Sequence, residues 1–251
     1  MCHGFLAFLF SFAFFQAKLQ GSEKTFHVVV ASSDDGFPPF SIASGKSVTG
    51  GIIKDLFDSL LEARGLNFKP IIMAEKRLHR ELKAGRIEGA LTTEQWVKKP
   101  DGYFFTAPII RVRDVIFAHK GLNLDNFTLA SLKGKKLGVV RGYTYHQRVE
   151  DLFRGKQVQR IDAKSEQHLI KLISLKRINY ALVTERVGWW IAEATQLAPK
   201  IHSSKNDFGN FDYKLLYHGK YRDELKGFDQ EIKELGKSAL QEVLSRYRHT
   251  P

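Results

Sequence analysis

The sequence predicts an α/β protein of two similar lobes, each a mainly parallel sheet flanked by helices. Three observations predict it. Strand-like apolar runs alternate with stretches of helical periodicity, the pattern of parallel strands joined by right-handed crossovers. That order restarts near residue 137. Residues 86–94 (RIEGALTTE) also echo residues 177–185 (RINYALVTE), with six of nine positions identical at an offset of 91. The same offset carries Gly51, just before the first long helical stripe, onto Gly142, just before the first helix of the second half. Two landmarks at one offset, each at the same place in the strand–helix order, favour duplicated topology over coincidence.

The elements follow in order. Residues 26–31 form a largely apolar run of strand length, ended by the turn cluster Ser32-Ser33-Asp34-Asp35-Gly36. Pro38-Pro39 forces an extended loop, because proline restricts itself and its predecessor. Ile52, Ile53, Leu56, Phe57, Leu60 and Leu61 make a helical stripe that stops near Gly65. Residues 68–73 read as strand, 75–84 as a charged helix, 87–91 as strand and 112–118 as strand, followed by a polar connection over 120–131. The second half reads strand 137–140, helix 145–153, strand 158–161, helix 166–175 and strand 180–183. Helical periodicity closes the chain at Leu225, Phe228, Ile232 and Leu235, and again at Leu240, Val243, Leu244 and Tyr247.

The N-terminal residues 5–15 (FLAFLFSFAFF) contain only Ser11 as a polar side chain. Eleven residues, ten of them apolar, match a signal-peptide core and fall short of a bilayer span. Small residues at Ala17 and Gly21 suit cleavage, so residues 1–21 are predicted to be a signal peptide and the mature protein periplasmic. Residues 1–4 carry no Lys or Arg, so a buried strand or an uncleaved anchor is the competing reading. Cleavage would remove Cys2, the single cysteine, leaving nothing to misoxidise outside the cytoplasm.

Composition excludes several classes of function. With 43% hydrophobic and 26% charged residues the chain is of ordinary globular type. One cysteine excludes a disulfide framework and a Cys-based zinc site. The nine histidines show no ligand spacing, no metalloprotease helix or nucleophile elbow is present, and Gly45-Lys46-Ser47 lacks the upstream glycine of a P-loop. No catalytic constellation, metal site or cofactor is expected. The formal charge of +12 is spread evenly and accompanies no nucleic-acid motif, so it reads as a solvated surface that steers anions.

Chemistry is left to the carboxyl ends of the strands, where open α/β sheets bind ligands. At Arg141-Gly142-Tyr143-Thr144 the glycine allows close backbone approach, and Thr144 serves as a donor or as a plain helix cap. Thr92 and Thr93 hold the equivalent place in the first half, where Thr92-x-x-Gln95 reads equally as a capping box. Thr93, Glu94, Thr184 and Glu185 would face a cleft between the lobes, surface salt bridging being the alternative for both glutamates.

These residues resemble the bacterial extracellular solute-binding proteins of family 3, over nearly all of the chain after residue 21. Gly36-Phe37-Pro38-Pro39-Phe40 with the segment from Gly50 to Leu56 resembles the opening loop and first helix. Gly85-Arg86-Ile87-Glu88-Gly89-Ala90, Phe104-Phe105-Thr106-Ala107-Pro108 and the segment from Leu132 to Gly142 are similar to three further motifs in order. The resemblance implies a type II, two-lobed periplasmic-binding fold. Lobe 1 would be residues 22–120 plus 213–251, lobe 2 the inserted residues 121–212, and strands 112–118 and 214–218 the hinge.

It also implies hinge closure over a small polar solute, amino-acid-like or otherwise charged. The expected protein is a monomer without cofactor, read by an inner-membrane permease of the ABC-transporter type or by a sensor. Amino-acid-binding members carry an arginine where this chain has Gln95, and a neutral amide cannot replace its forked grip on a carboxylate. Arg77 or Arg141 are the alternative sources of that charge. Glu185 stands near the family's acidic partner for an ammonium group, and Phe37, Phe40, Trp96 and Tyr143 are candidate walls. Two competing readings are a dehydratase-like enzyme using Glu94 or Glu185 as acid or base, and a sensory module that has lost small-molecule binding.

Overall fold

The structure, a computed structural model, describes residues 24–32, 36–62, 64–97, 99–234 and 236–247. The expected signal segment with its cleavage site, residues 33–35 of the turn cluster, and Leu235 lie outside the described residues.

The first half runs β1 (Lys24–Ala31), β2 (Gly36–Phe37), β3 (Ser41–Ser44), β4 (Ser47–Gly50), α1 (Ile52–Glu62), β5 (Leu66–Ile72), α2 (Glu75–Lys83), β6 (Gly89–Thr92), β7 (Tyr103–Phe105) and β8 (Ile110–His119). The second runs β9 (Lys136–Val140), α3 (Gln147–Arg154), β10 (Gln159–Ala163), α4 (Glu166–Ser174), β11 (Tyr180–Thr184) and α5 (Glu185–Ala194). The chain then returns along β12 (Ile201–His218) to α6 (Phe228–Glu234) and α7 (Gly236–Arg246).

The strands form one path, β10-β9-β11-β8-β12-β6-β1-β5, and the two ends of that path have the same construction. β1 is parallel to β5 and β6, as β9 is parallel to β10 and β11. On its other side β6 meets β12 antiparallel, as β11 meets β8. β6 and β11 are the two echo segments, so the repeat seen in sequence is a repeat of position in the sheet. Both echo glycines have left-handed backbone, with φ of 114° at Gly51 and 83° at Gly142. At Gly51 a Cβ would also lie 2.6 Å from the Phe40 carbonyl oxygen. That contact is what lets Ile52 N and Ile53 N donate to Pro39 O and Phe40 O, at 2.9 and 3.0 Å, where α1 begins.

α1 turns its whole predicted stripe inward: Ile52, Ile53, Leu56, Phe57, Leu60 and Leu61 are buried against Phe26, Phe68 and Phe228. Each such side chain contributes about 1.5–3 kcal/mol on leaving water. The second half builds separate cores around Leu137, Val149 and Phe208 on one sheet face and around Phe117, Leu169 and Ala181 on the other.

Four features differ from the sequence expectations. Pro38-Pro39 is not simply an extended loop; it lies between β2 and β3 of a small three-stranded antiparallel sheet, with Gly45 in the turn before β4. The helix expected from residue 145 begins at Gln147, because His146 caps it, its Nδ1 accepting from Arg148 N at 3.3 Å. No helix follows Thr92: Thr93 O instead accepts from Trp96 N and Val97 N at 3.1 and 3.3 Å, closing a turn. The return strand is longer than residues 214–218, pairing with β8 from Ile201 to Tyr213 and then with β6 and β7.

Candidate functional site

The parallel strands of both halves present their carboxyl ends to one cavity. Val29–Ala31 of β1 and Leu91 and Thr92 of β6 line it from one side, Val140 of β9 and Leu182–Thr184 of β11 from the other. The two strands shared by the halves cross behind it, supplying Val112 and Asp114 from β8 and Phe211 and Tyr213 from β12. In both strands the lining residues are two apart, one face of the pleat. The cavity measures about 190 Å³, many times the ~10–15 Å³ one water needs, so it has room for a small molecule.

Its walls are aromatic. Phe37 and Phe40 stack with centroids 5.5 Å apart, and Phe40 lies 6.2 Å from Tyr213. Trp96 then packs 5.7 Å from Tyr213 and 5.2 Å from Phe211. Tyr143 stands at the opposite side, 41% exposed, its ring 6.4 Å from that of Tyr145. The Tyr145 hydroxyl accepts from Val140 N at 2.8 Å, which ties the β9 loop to its own strand end.

Two carboxyl groups line this surface. Asp114, only 5% exposed, takes a hydrogen bond from Thr184 Oγ1 at 2.8 Å. Burial pushes its carboxyl up to about 7, with Glu166 and Asp207 adding repulsion against the partial relief from Thr184. Thr184 sits at the cap of α5 yet makes no side-chain cap bond, its hydroxyl being spent on Asp114. Glu166 is the first residue of α4, behind the cap Ser165, and is also held above the usual carboxylate range by burial, against a lowering hydrogen bond from Tyr143. Burial, with Glu166 beside it, raises the Tyr143 phenol. No Lys, Arg or His is among the described residues that line the cavity.

Of the residues predicted from sequence, Phe37, Phe40, Thr92, Gly142, Tyr143 and Thr144 come together around the cavity. Thr93 is buried beside it but does not line it. Gln95 is exposed on the turn, and its neighbour Trp96 faces the cavity instead. Arg77 is exposed on α2, whose Leu78 and Leu82 face inward, and Arg141 is exposed where its N–H donates to Ala163 O at 2.9 Å; neither lines the cavity. Glu185 is gripped by Arg113, whose Nε and Nη2 reach its two carboxylate oxygens at 2.6 Å each, and Glu94 takes Lys214 Nζ at 2.5 Å. Both glutamates are therefore engaged in ion pairs and do not line the cavity, so neither is placed to serve there as the acid or base of the dehydratase-like reading.

Asp114 and Glu166 are the residues that sequence reasoning missed. Asp114 had a legible signal, a lone acid inside the predicted strand 112–118. Glu166 had none, being an ordinary acid in the first turn of a helix.

No family model matches the sequence, and no curated protein matches it. Solved structures do match in fold. A histidine kinase sensor domain with similarity to periplasmic binding proteins superposes with a TM-score of 0.69 at 18% identity, over 90% of this chain and 96% of that one. The GluR0 ligand-binding core in complex with L-glutamate gives 0.70 at 17% identity, over 90% and 99%. AbpA, an amino acid ABC transporter substrate-binding protein of Streptococcus pneumoniae bound to L-arginine, gives 0.66 at 15% identity, over 90% and 95%. The chain has the two-lobed fold of the periplasmic binding proteins, the fold its sequence resembles.

Proposed function

We propose that this protein is an exported solute-binding protein that captures one small polar solute between two lobes. Residues 22–120 with 213–251 form one lobe and 121–212 the other, with β8 and β12 as the hinge and residues 1–21 as the export signal. The observation that carries this reading is the origin of the cavity wall: both sets of parallel strands and both crossing strands contribute to it. A solute touching both halves makes all its contacts only when they are together, so binding favours the closed form. A membrane permease or a sensor then reads that form. The fold neighbours support both partners, since they include a transporter's substrate-binding protein and a kinase sensor domain.

Thermal unfolding with amines, amino acids, organic acids and sugars tests the reading. A solute at a hundred times its dissociation constant adds about 2.7 kcal/mol and raises the melting temperature. A folded protein whose melting temperature no class of solute moves would overturn it.

A further inference from the structure

We infer that the solute is an organic cation without a carboxylate, an amine or quaternary ammonium carried on an apolar or aromatic body. This rests on the solute-binding reading above and deepens it. The cavity offers two acids, Asp114 and Glu166, and no basic side chain among the described residues that line it. Around the acids stand aromatic faces from Phe37, Phe40, Trp96, Tyr143 and Tyr213, the surface that attracts a desolvated cation through the ring quadrupole.

Four cations on neighbouring elements are turned to other partners, and Arg141, between the lining Val140 and Gly142, is exposed and does not line the cavity. Arg113, next to Asp114 in β8, forks onto Glu185. Arg160 pairs with Asp162 at 2.9 Å, Arg148 lies 3.9 Å from Asp207, and Lys214 holds Glu94. An α-amino acid would bring a further carboxylate beside Asp114 and Glu166 with no guanidinium to receive it, and an unpaired buried anion is strongly disfavoured. An amine lacking that carboxylate instead compensates the two acids, Asp114 and Glu166, that line the cavity and repel one another. Asp114 accepts from the hydroxyl of Thr184 on β11 at 2.8 Å, and Glu166 on α4, Asp207 on β12 and the phenols of Tyr145 and Tyr213 are close enough to act on it, or be acted on by it, electrostatically. The formal charge of +12 acts on the encounter rate from the surface, whereas these desolvated groups set which ligand stays.

Calorimetric titration of the protein at pH 8 with matched pairs tests this: agmatine against arginine, cadaverine against lysine, tyramine against tyrosine, and choline alone as a quaternary probe. The expected result is that choline or at least one amine binds, a binding amine at least tenfold tighter than its amino acid, and that Asp114→Asn and Glu166→Gln each weaken the binding cation at least tenfold. The pairs are compared on the unaltered protein, so the result stands even if a variant folds poorly. If amino acids or organic acids bind and none of the four cations does, the cation inference is overturned and solute binding stands. If no solute of any class binds, both are overturned.

Discussion

Replacing Asp114 by asparagine should abolish most of a fall in stability that the unaltered protein shows between about pH 4 and pH 7. The ordinary aspartate value of 3.8 applies to the unfolded chain, and burial raises the folded value to about 7. Between them the folded protein keeps a proton that the unfolded chain has lost. Its stabilising contribution is therefore complete below 3.8, shrinks as pH rises, and is gone above about 7. At about 1.4 kcal/mol per pH unit the loss is about 4 kcal/mol. Glu166 is shifted the same way and leaves a smaller residual slope in the variant. Urea unfolding at pH 4.5 and pH 8 checks this, and equal slopes for the two proteins would contradict a neutral buried Asp114. A cation bound in the cavity reverses the trend, stabilising the protein more at pH 8 than at pH 5, because it favours the ionised carboxyl.

The second large effect concerns the seat of α5. Phe117, fully buried towards the carboxyl end of β8, packs its ring edge-on to Trp189 at 5.5 Å. A Cβ on Gly188 would lie 2.4 Å from two atoms of that ring, so the helix lies on the phenyl group through a glycine. Phe117→Ala should cost about 3–5 kcal/mol by opening a cavity. Gly188→Ala should cost about 1–3 kcal/mol by overpacking, although alanine is the better helix former by roughly 1 kcal/mol. The double variant should be more stable than the two losses added together predict, by about 0.5–3 kcal/mol, since the new methyl group occupies space the ring has vacated. Chemical unfolding of the four proteins gives this coupling, and additive losses would mean that α5 is not seated on Phe117.

This contact also explains what sequence could and could not convey. α1 was legible because its stripe, Ile52 to Leu61, is a local pattern bounded by Gly51 and Gly65. α5 was not: Gly188-Trp189-Trp190 has poor helix propensity, and what holds it is a ring on a strand about seventy residues earlier. β12 was half hidden for a related reason. Its segment 201–213 carries Ser203, Ser204, Lys205, Asn206 and Asp207 and shifts register there, so it lacks the steady alternation of a strand. In the site, the aromatic loop and the β9 turn could be read because glycine and proline mark them. The acids could not be placed. Whether Asp114 or Glu185 faces the cavity depends on Arg113 claiming Glu185 and Thr184 turning to Asp114, pairings between strands that one sequence does not display.

Capture of one solute by both halves at once is tested most directly by titrating the tightest solute into two variants, Phe37→Ala from the first half and Tyr143→Ala from the second. Tyr143 is 41% exposed, and Phe37 is partly buried at the edge of the first half's core, so urea unfolding of each variant establishes that it is folded before the titration. Calorimetry should show one solute per chain in the unaltered protein and at least tenfold weaker binding in each variant. Undiminished affinity in either variant would mean that only one half holds the solute, contradicting capture between the lobes.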